Sequence, residues 1–148
     1  MKMLITKQDV IDMAYVPSEQ ICVEQIPQAV IAEAQYKFIR PVLNGLYDEL
    51  LAGAHNELCE LYVKPALAYY VKYLIITQHS GYLTLMQSTA AQAAVVVADR
   101  LRAETLARAS TLLNLCVSIV EASSDDYPAY SPAKNIRNKT RIIGGFVI

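Results

Sequence analysis

The sequence predicts an all-α chain: a helical bundle with one long C-terminal helix, followed by an extended basic and apolar tail. Three observations carry this. Apolar residues recur at three- and four-residue steps through most of the chain, whereas few stretches alternate as a half-buried strand would. Residues 89 to 122 contain neither Gly nor Pro and open on an Ala-rich run. Beyond Ser123 the composition turns to loop formers, then to bases and β-prone apolar residues. With 148 residues the chain suits one domain. A domain of that size buries roughly 70% of its unfolded surface and needs no disulfide or metal to hold a core. Charged residues make up 18% and hydrophobic ones 54%, with a mean hydropathy of +0.25. That surplus of apolar residues points to assembly once a monomer core is filled. Disordered, collagen-like and disulfide-scaffold classes are excluded.

In chain order, Thr6 with Asp9 three residues on reads as an N-cap for a short helix over 7–14. Pro17 and Ser18 mark a loop. Pro27 fits the first position of a second helix, with Val30, Ile31, Ala34 and Phe38 along one side. Pro41 should end or kink it, because proline lacks the backbone donor and biases Arg40 away from the α region. A third helix starting at Pro41 carries Leu43, Leu46 and Leu50, and Gly53 can terminate it in the left-handed conformation. Asn56 is a plausible cap for a segment over 57–78, which Pro65 should kink or divide and beyond which Gly81 lies. Residues 82 to 88 carry no clear pattern. The helix over 89–122 should span about 50 Å, with Asp99, Arg100, Arg102, Glu104 and Arg108 keeping one flank polar.

No phosphate loop, zinc-protease helix, nucleophile elbow, dinucleotide fingerprint or calcium loop is present in the sequence. The sequence calls for no cofactor and no metal, and an enzyme is not the expected class. His55 and His79 fall near predicted helix boundaries, where capping or exposure accounts for them. Asp125-Asp126 reads as a solvated loop. Cys22, Cys59 and Cys116 are odd in number, far apart and outside any metal spacing, so they read as free, mostly buried thiols made in a reducing cytoplasm. Tyr62, Tyr69, Tyr70 and Tyr73 lie at helical spacing among Leu and Val, as packing rather than as a stacking platform. The first residues carry Lys7, Asp9 and Asp12 where a signal peptide needs an apolar core, and the uncharged stretch 73–98 holds too many polar groups for a membrane span.

Charge divides the chain. Residues 1–126, the expected helical domain, carry 14 acids against 9 bases, while residues 127–148 carry four bases and no acid. Lys134, Arg137, Lys139 and Arg141, with Ile142, Ile143, Phe146, Val147 and Ile148, are the candidate interface residues. The four bases could neutralise phosphates, but an acidic neighbouring subunit explains them as well, and the apolar end wants a groove. The tail is expected to be disordered until it docks.

The stretches Ile31-Ala-Glu-Ala-Gln35 through Arg40-Pro-Val-Leu43, Leu46-Tyr-Asp-Glu-Leu50, Leu61-Tyr-Val-Lys-Pro-Ala-Leu-Ala-Tyr-Tyr70 and Tyr127-Pro-Ala-Tyr130 carry a resemblance. Over residues 5 to 130 the chain resembles small head-tail connector (adaptor) proteins of tailed bacteriophages, especially those of Bacteroides-type and crAss-like phages. The resemblance implies a structural virion protein, made in the host cytoplasm, that forms an oligomeric, commonly twelve-fold ring below the portal. Its implied partners are further copies of itself, the portal and adjacent tail or connector proteins, with DNA passing through the lumen unread and no membrane involved. The residue 127–148 tail would then dock on a neighbouring subunit. The alternative is a small helical nucleic-acid-binding or packaging protein using the basic tail.

Overall fold

A computed structural model describes residues 2–85, 88–139, 142–143 and 146–147. The chain is all-α, as expected. Helix α1 (Lys7–Ala14) starts where Thr6 Oγ1 accepts from Asp9 N at 3.1 Å and Asp9 Oδ2 accepts from Thr6 N at 3.0 Å, a reciprocal capping box. Short 3-10 turns at Pro17–Glu19 and Val23–Gln25 lead to α2 (Gln28–Ala34). Pro27 is the N-cap of α2 rather than its first residue.

The two helix-breaking prolines each open a new helical piece, as expected, but the join is a π turn rather than a loop. After α2 the chain runs through a π-helical turn (Gln35–Ile39) directly into α3 (Arg40–Leu43), so Pro41 lies inside a continuous helical path. The same device recurs: α5 (Asn56–Leu58) passes through a second π turn (Cys59–Val63) into α6 (Lys64–Leu85), with Pro65 at its start. In each case the widened turn closes one residue before the proline, through Arg40 N–H to the Gln35 carbonyl and Lys64 N–H to the Cys59 carbonyl. The extra residue shifts the hydrogen-bond register where the proline offers no donor, and the helix survives. The real break falls at Asn44, whose φ of 47° is left-handed, before α4 (Gly45–Leu51). Gly53, at φ +92°, ends that unit as expected.

Helix α6 is the centre of the molecule. Ala66, Leu67, Ala68, Tyr70 and Val71 are each at most 1% exposed, so its first half is buried nearly all round, against α1, α2 and α7. It also runs through Gly81, which the sequence placed beyond its end. Helix α7 (Thr89–Ala122) is capped by Ser88 Oγ accepting from Ala91 N at 3.0 Å. It buries one side through Ala98, Thr105, Ala109, Leu113, Cys116 and Val120. Tyr70 stacks on Phe38 with ring centroids 4.4 Å apart, and Tyr73 meets the same ring edge-on at 6.1 Å, which is packing as read from the spacing.

After α7 come 3-10 turns at Ser124–Asp126, Pro132–Lys134 and Ile136–Lys139, then strands β1 (Ile142–Ile143) and β2 (Phe146–Val147), paired antiparallel with Ile142 opposite Val147 and Ile143 opposite Phe146. Residues 127–138 fold onto their own body instead of extending from it. Tyr130 belongs to the main hydrophobic core and Asn135 is 1% exposed. The boundary expected at residue 126 therefore moves to beyond residue 138. The cause is a close contact with a segment far earlier in the chain.

Candidate interaction site

That contact is built by Asn44 and Gly45. The Asn44 carboxamide oxygen accepts from Ser131 N at 2.9 Å and from Gly45 N at 2.9 Å, and its NH2 donates to the Ser131 carbonyl at 3.1 Å. One side chain thus satisfies both backbone groups of a residue 87 positions away. Gly45 leaves room for the approach: a Cβ there would stand 2.4 Å from the Ala129 carbonyl oxygen. Deeper in, the Tyr130 hydroxyl donates to Glu121 Oε1 at 2.8 Å and accepts from Asn135 Nδ2 at 2.9 Å. Burial, with Glu121 alongside, holds the Tyr130 phenol above its ordinary pKa.

The nine expected interface residues are divided by this arrangement. Arg137 does not wait for a partner: it donates to Tyr70 OH at 2.8 Å and to Asn114 Oδ1, locking the last turns onto α6 and α7. Lys134 is exposed, at the edge of a surface hollow of about 510 Å³ that it shares with Tyr36, Arg40, Pro41, Asn44 and Asp48. The Arg40 guanidinium lies 4.8 Å from the centroid of the Tyr36 ring, itself 55% exposed. Neither Arg40 nor Lys134 has an ion-pair partner among the described residues. Lys139 closes the last 3-10 turn, and Ile142, Ile143, Phe146 and Val147 form the strand pair. Arg141 and Ile148 lie outside the described residues.

The hollow therefore joins one expected cation with one that sequence reasoning passed over. In the sequence Arg40 stands out only beside its proline, and Tyr36 carries no signal of its own. The Asn-Gly dipeptide at 44–45 was the available signal, since it marks a turn where backbone can approach closely. Chemically, two free cations and an exposed ring facing one carboxylate suit an anionic partner surface.

A second polar cluster lies between α1, α6 and α7. Lys72, buried, donates to the Ala14 carbonyl at 3.0 Å, pairs with Glu19 Oε2 at 2.9 Å and sits 4.5 Å over the Tyr15 ring. The Tyr15 hydroxyl is buried with no hydrogen-bond partner among the described residues, and its burial, with Glu19 near, pushes the phenol above its usual range. These groups border an open cavity of about 420 Å³ with Asp12, Glu104 and Arg108, in which charges largely offset one another.

His55, at φ 54°, is held by Glu49 Oε2 at 2.6 Å and packs on Tyr127, while His79 lies within α6 rather than at its end. Cys59 and Cys116 are buried, and burial raises both thiols, that of Cys116 to about 12; Cys22 is exposed. Among the described residues no group of three His, Cys, Asp or Glu converges as a metal site, and no helix is long and apolar enough to cross a membrane.

The molecule is thus an all-α protein whose last turns are clamped to its body beside a basic surface hollow. The chain belongs to the Family of unknown function (DUF6712), whose model matches residues 28–140. The match runs from α2 through the last 3-10 turn, so the folded-back segment lies within the family's unit. No curated protein and no solved structure matches the chain.

Proposed function

We infer that this chain is a structural virion subunit without turnover, one of a ring of copies, commonly twelve, in a head-tail connector below the portal of a tailed phage. The reading starts from the resemblance of residues 5–130 to phage connector proteins. The observation that carries it is the hollow where Arg40 and Lys134, neither in an ion pair among the described residues, stand beside exposed Tyr36 on a body whose remaining charge is acidic. A basic hollow on one face and an acidic body elsewhere make a head-to-tail contact between copies, which closes into a ring when the rotation permits. The apolar end from Ile142 to Ile148 adds a segment for a neighbouring subunit or the portal, and DNA passes through the lumen without being read.

Light scattering on the full chain, on a chain ending at Lys139 and on Lys134→Glu, each with and without portal protein, tests the reading. A large assembly, or portal binding, that is lost in Lys134→Glu and weakened in the chain ending at Lys139 supports it. Full assembly by both variants, or a monomer that ignores the portal, overturns it. A second reading rests on the same hollow: two cations beside an exposed tyrosine also suit single-stranded nucleic acid. A monomer binding DNA with a steep salt dependence, lost in Arg40→Glu, would favour it.

A further inference from the structure

The first half of α7 carries apolar side chains into open water. Val96 and Val97 are 71% and 67% exposed, and Leu101, one turn on from Val97, is 37% exposed. Further along the same side Ala107, Arg108, Thr111 and Leu112, with Tyr69 of α6, edge an open hollow of about 400 Å³. Between the valines and the hollow lie Arg100 and Glu104, both exposed and neither in an ion pair among the described residues. Asp99 is different: it accepts from Ser80 at 3.2 Å and lies 3.7 Å from Arg102. One helix face thus holds, in order, a pair of apolar knobs, a cation, an anion and a receiving hollow.

We propose that a second copy of this chain covers that face, the two α7 helices lying antiparallel about a two-fold axis at the level of residue 102. In this register Arg100 of each copy stands level with Glu104 of the other, Val97 with Ala107 and Ala93 with Thr111. Each copy's Val96 and Val97 then enter the other's hollow, and all of these residues are exposed in the single chain. The pattern is self-complementary, as an isologous contact must be, because every contact occurs twice with roles exchanged. Small residues at 93, 103 and 107 let the helices approach closely. The strip from 93 to 111 is about 27 Å long and about 10 Å wide. Counted on both copies the strip is about 540 Å², below the standard size of a specific interface, so a weak, reversible contact with a dissociation constant of tens of micromolar is expected. This pairing closes at two copies, and it shares no lining residue with the Arg40–Lys134 hollow. It therefore stands whether or not the ring reading does.

Sedimentation equilibrium of the full chain over about 1 to 200 µM reads the association. Expected is a monomer-dimer equilibrium that Val97→Asp weakens on the order of a hundredfold, since the buried charge enters twice. Arg100→Glu sets carboxylates against Glu104 and should weaken it about tenfold, and adding Glu104→Arg should restore it to within about threefold. Circular dichroism checks that helicity is unchanged, as it should be for exposed positions. A wild-type monomer throughout the range overturns the proposal. So does association that Val97→Asp leaves intact, or a double charge exchange no better than the single.

Discussion

Gly45→Ala and Gly81→Ala are the same substitution with opposite expected signs. In a regular helix replacing Gly by Ala gains about 0.5–1 kcal/mol, through the backbone freedom that Gly loses on folding. Gly81 lies within α6, and a Cβ there would meet nothing within 4 Å, so that gain should appear in full. At Gly45 the Cβ would stand 2.4 Å from the Ala129 carbonyl oxygen and 3.3 Å from its carbon, both backbone atoms that cannot rotate away. Restoring ordinary contact moves residues 129–131 outward by about 1 Å. That shift takes both Asn44–Ser131 bonds, now 2.9 and 3.1 Å, out of hydrogen-bonding range, at about 1 kcal/mol each. It also loosens Tyr130, 7% exposed, which loses part of the roughly 1.5–3 kcal/mol its burial contributes. Set against the helix gain, Gly45→Ala should destabilise by about 2–4 kcal/mol. Urea denaturation followed by circular dichroism measures both variants, and limited proteolysis near residue 129 reports where the first opens. A Gly45→Ala protein as stable as wild type would refute the claim that this close approach fixes residues 127–138 to the body.

Three further outcomes are expected. Tyr130→Phe removes the hydroxyl that joins Glu121 to buried Asn135 and should cost about 1–3 kcal/mol in the same urea assay. Glu19→Gln removes the carboxylate charge and leaves the buried Lys72 ammonium with neutral acceptors, an amide oxygen and the Ala14 carbonyl, beside the Tyr15 ring, so it should cost about 2–4 kcal/mol, more than Lys72→Met, which removes the buried charge itself. Stability should fall above pH 9, because the Cys116 thiol ionises near 9 in the unfolded chain and near 12 in the folded one, so the unfolded state releases its proton first. The slope is roughly 1.4 kcal/mol per pH unit and levels off near pH 12. Denaturation midpoints between pH 9 and 10 should fall less steeply in Cys116→Ala, with Cys59, raised in the same direction, supplying a remainder.

What was legible in the sequence was what local chemistry decides. The Thr6 capping box, the left-handed Gly53 and the extent of α7 each follow from residues within one turn of the feature. Pro41 and Pro65 each stand at the start of a new helical piece, as the sequence requires, but the join itself was not legible: a π turn absorbs the missing donor when packing holds the helix on both sides. The buried flanks Ile39 with Val42 and Val63 with Ala66 supply that hold. Gly81 was misread, since the preference for ending a helix at Gly yields when α7 packs along α6. The clamp at residues 129–131 was out of reach, because its partner lies 87 residues earlier and neither segment has a pattern that names the other. Of the site, Lys134 was identified and Arg40 was not, since charge counting by segment separates residues that the fold brings together.

The same fold-back changes what the charge division means. Counted along the chain, four bases form a tail that seeks an acidic partner. In the folded molecule Arg137 hydrogen-bonds within one copy, holding the last turns against the neutral Tyr70 and Asn114 side chains. The free cations of the described surface are regrouped, with Lys134 placed beside Arg40 of the supposedly acidic body. An anionic partner therefore meets a preformed pair on a fixed surface, without first ordering a 22-residue tail, whose backbone alone would cost about 1–2 kcal/mol per residue. The segment beyond residue 139 is the most apolar part of the tail. Salt should then weaken contacts made through the hollow far more than contacts made by the C-terminal segment. Measuring assembly of the full chain and of the chain ending at Lys139 across ionic strength separates the two contributions, and equal salt sensitivity in both would place the whole contact in the hollow.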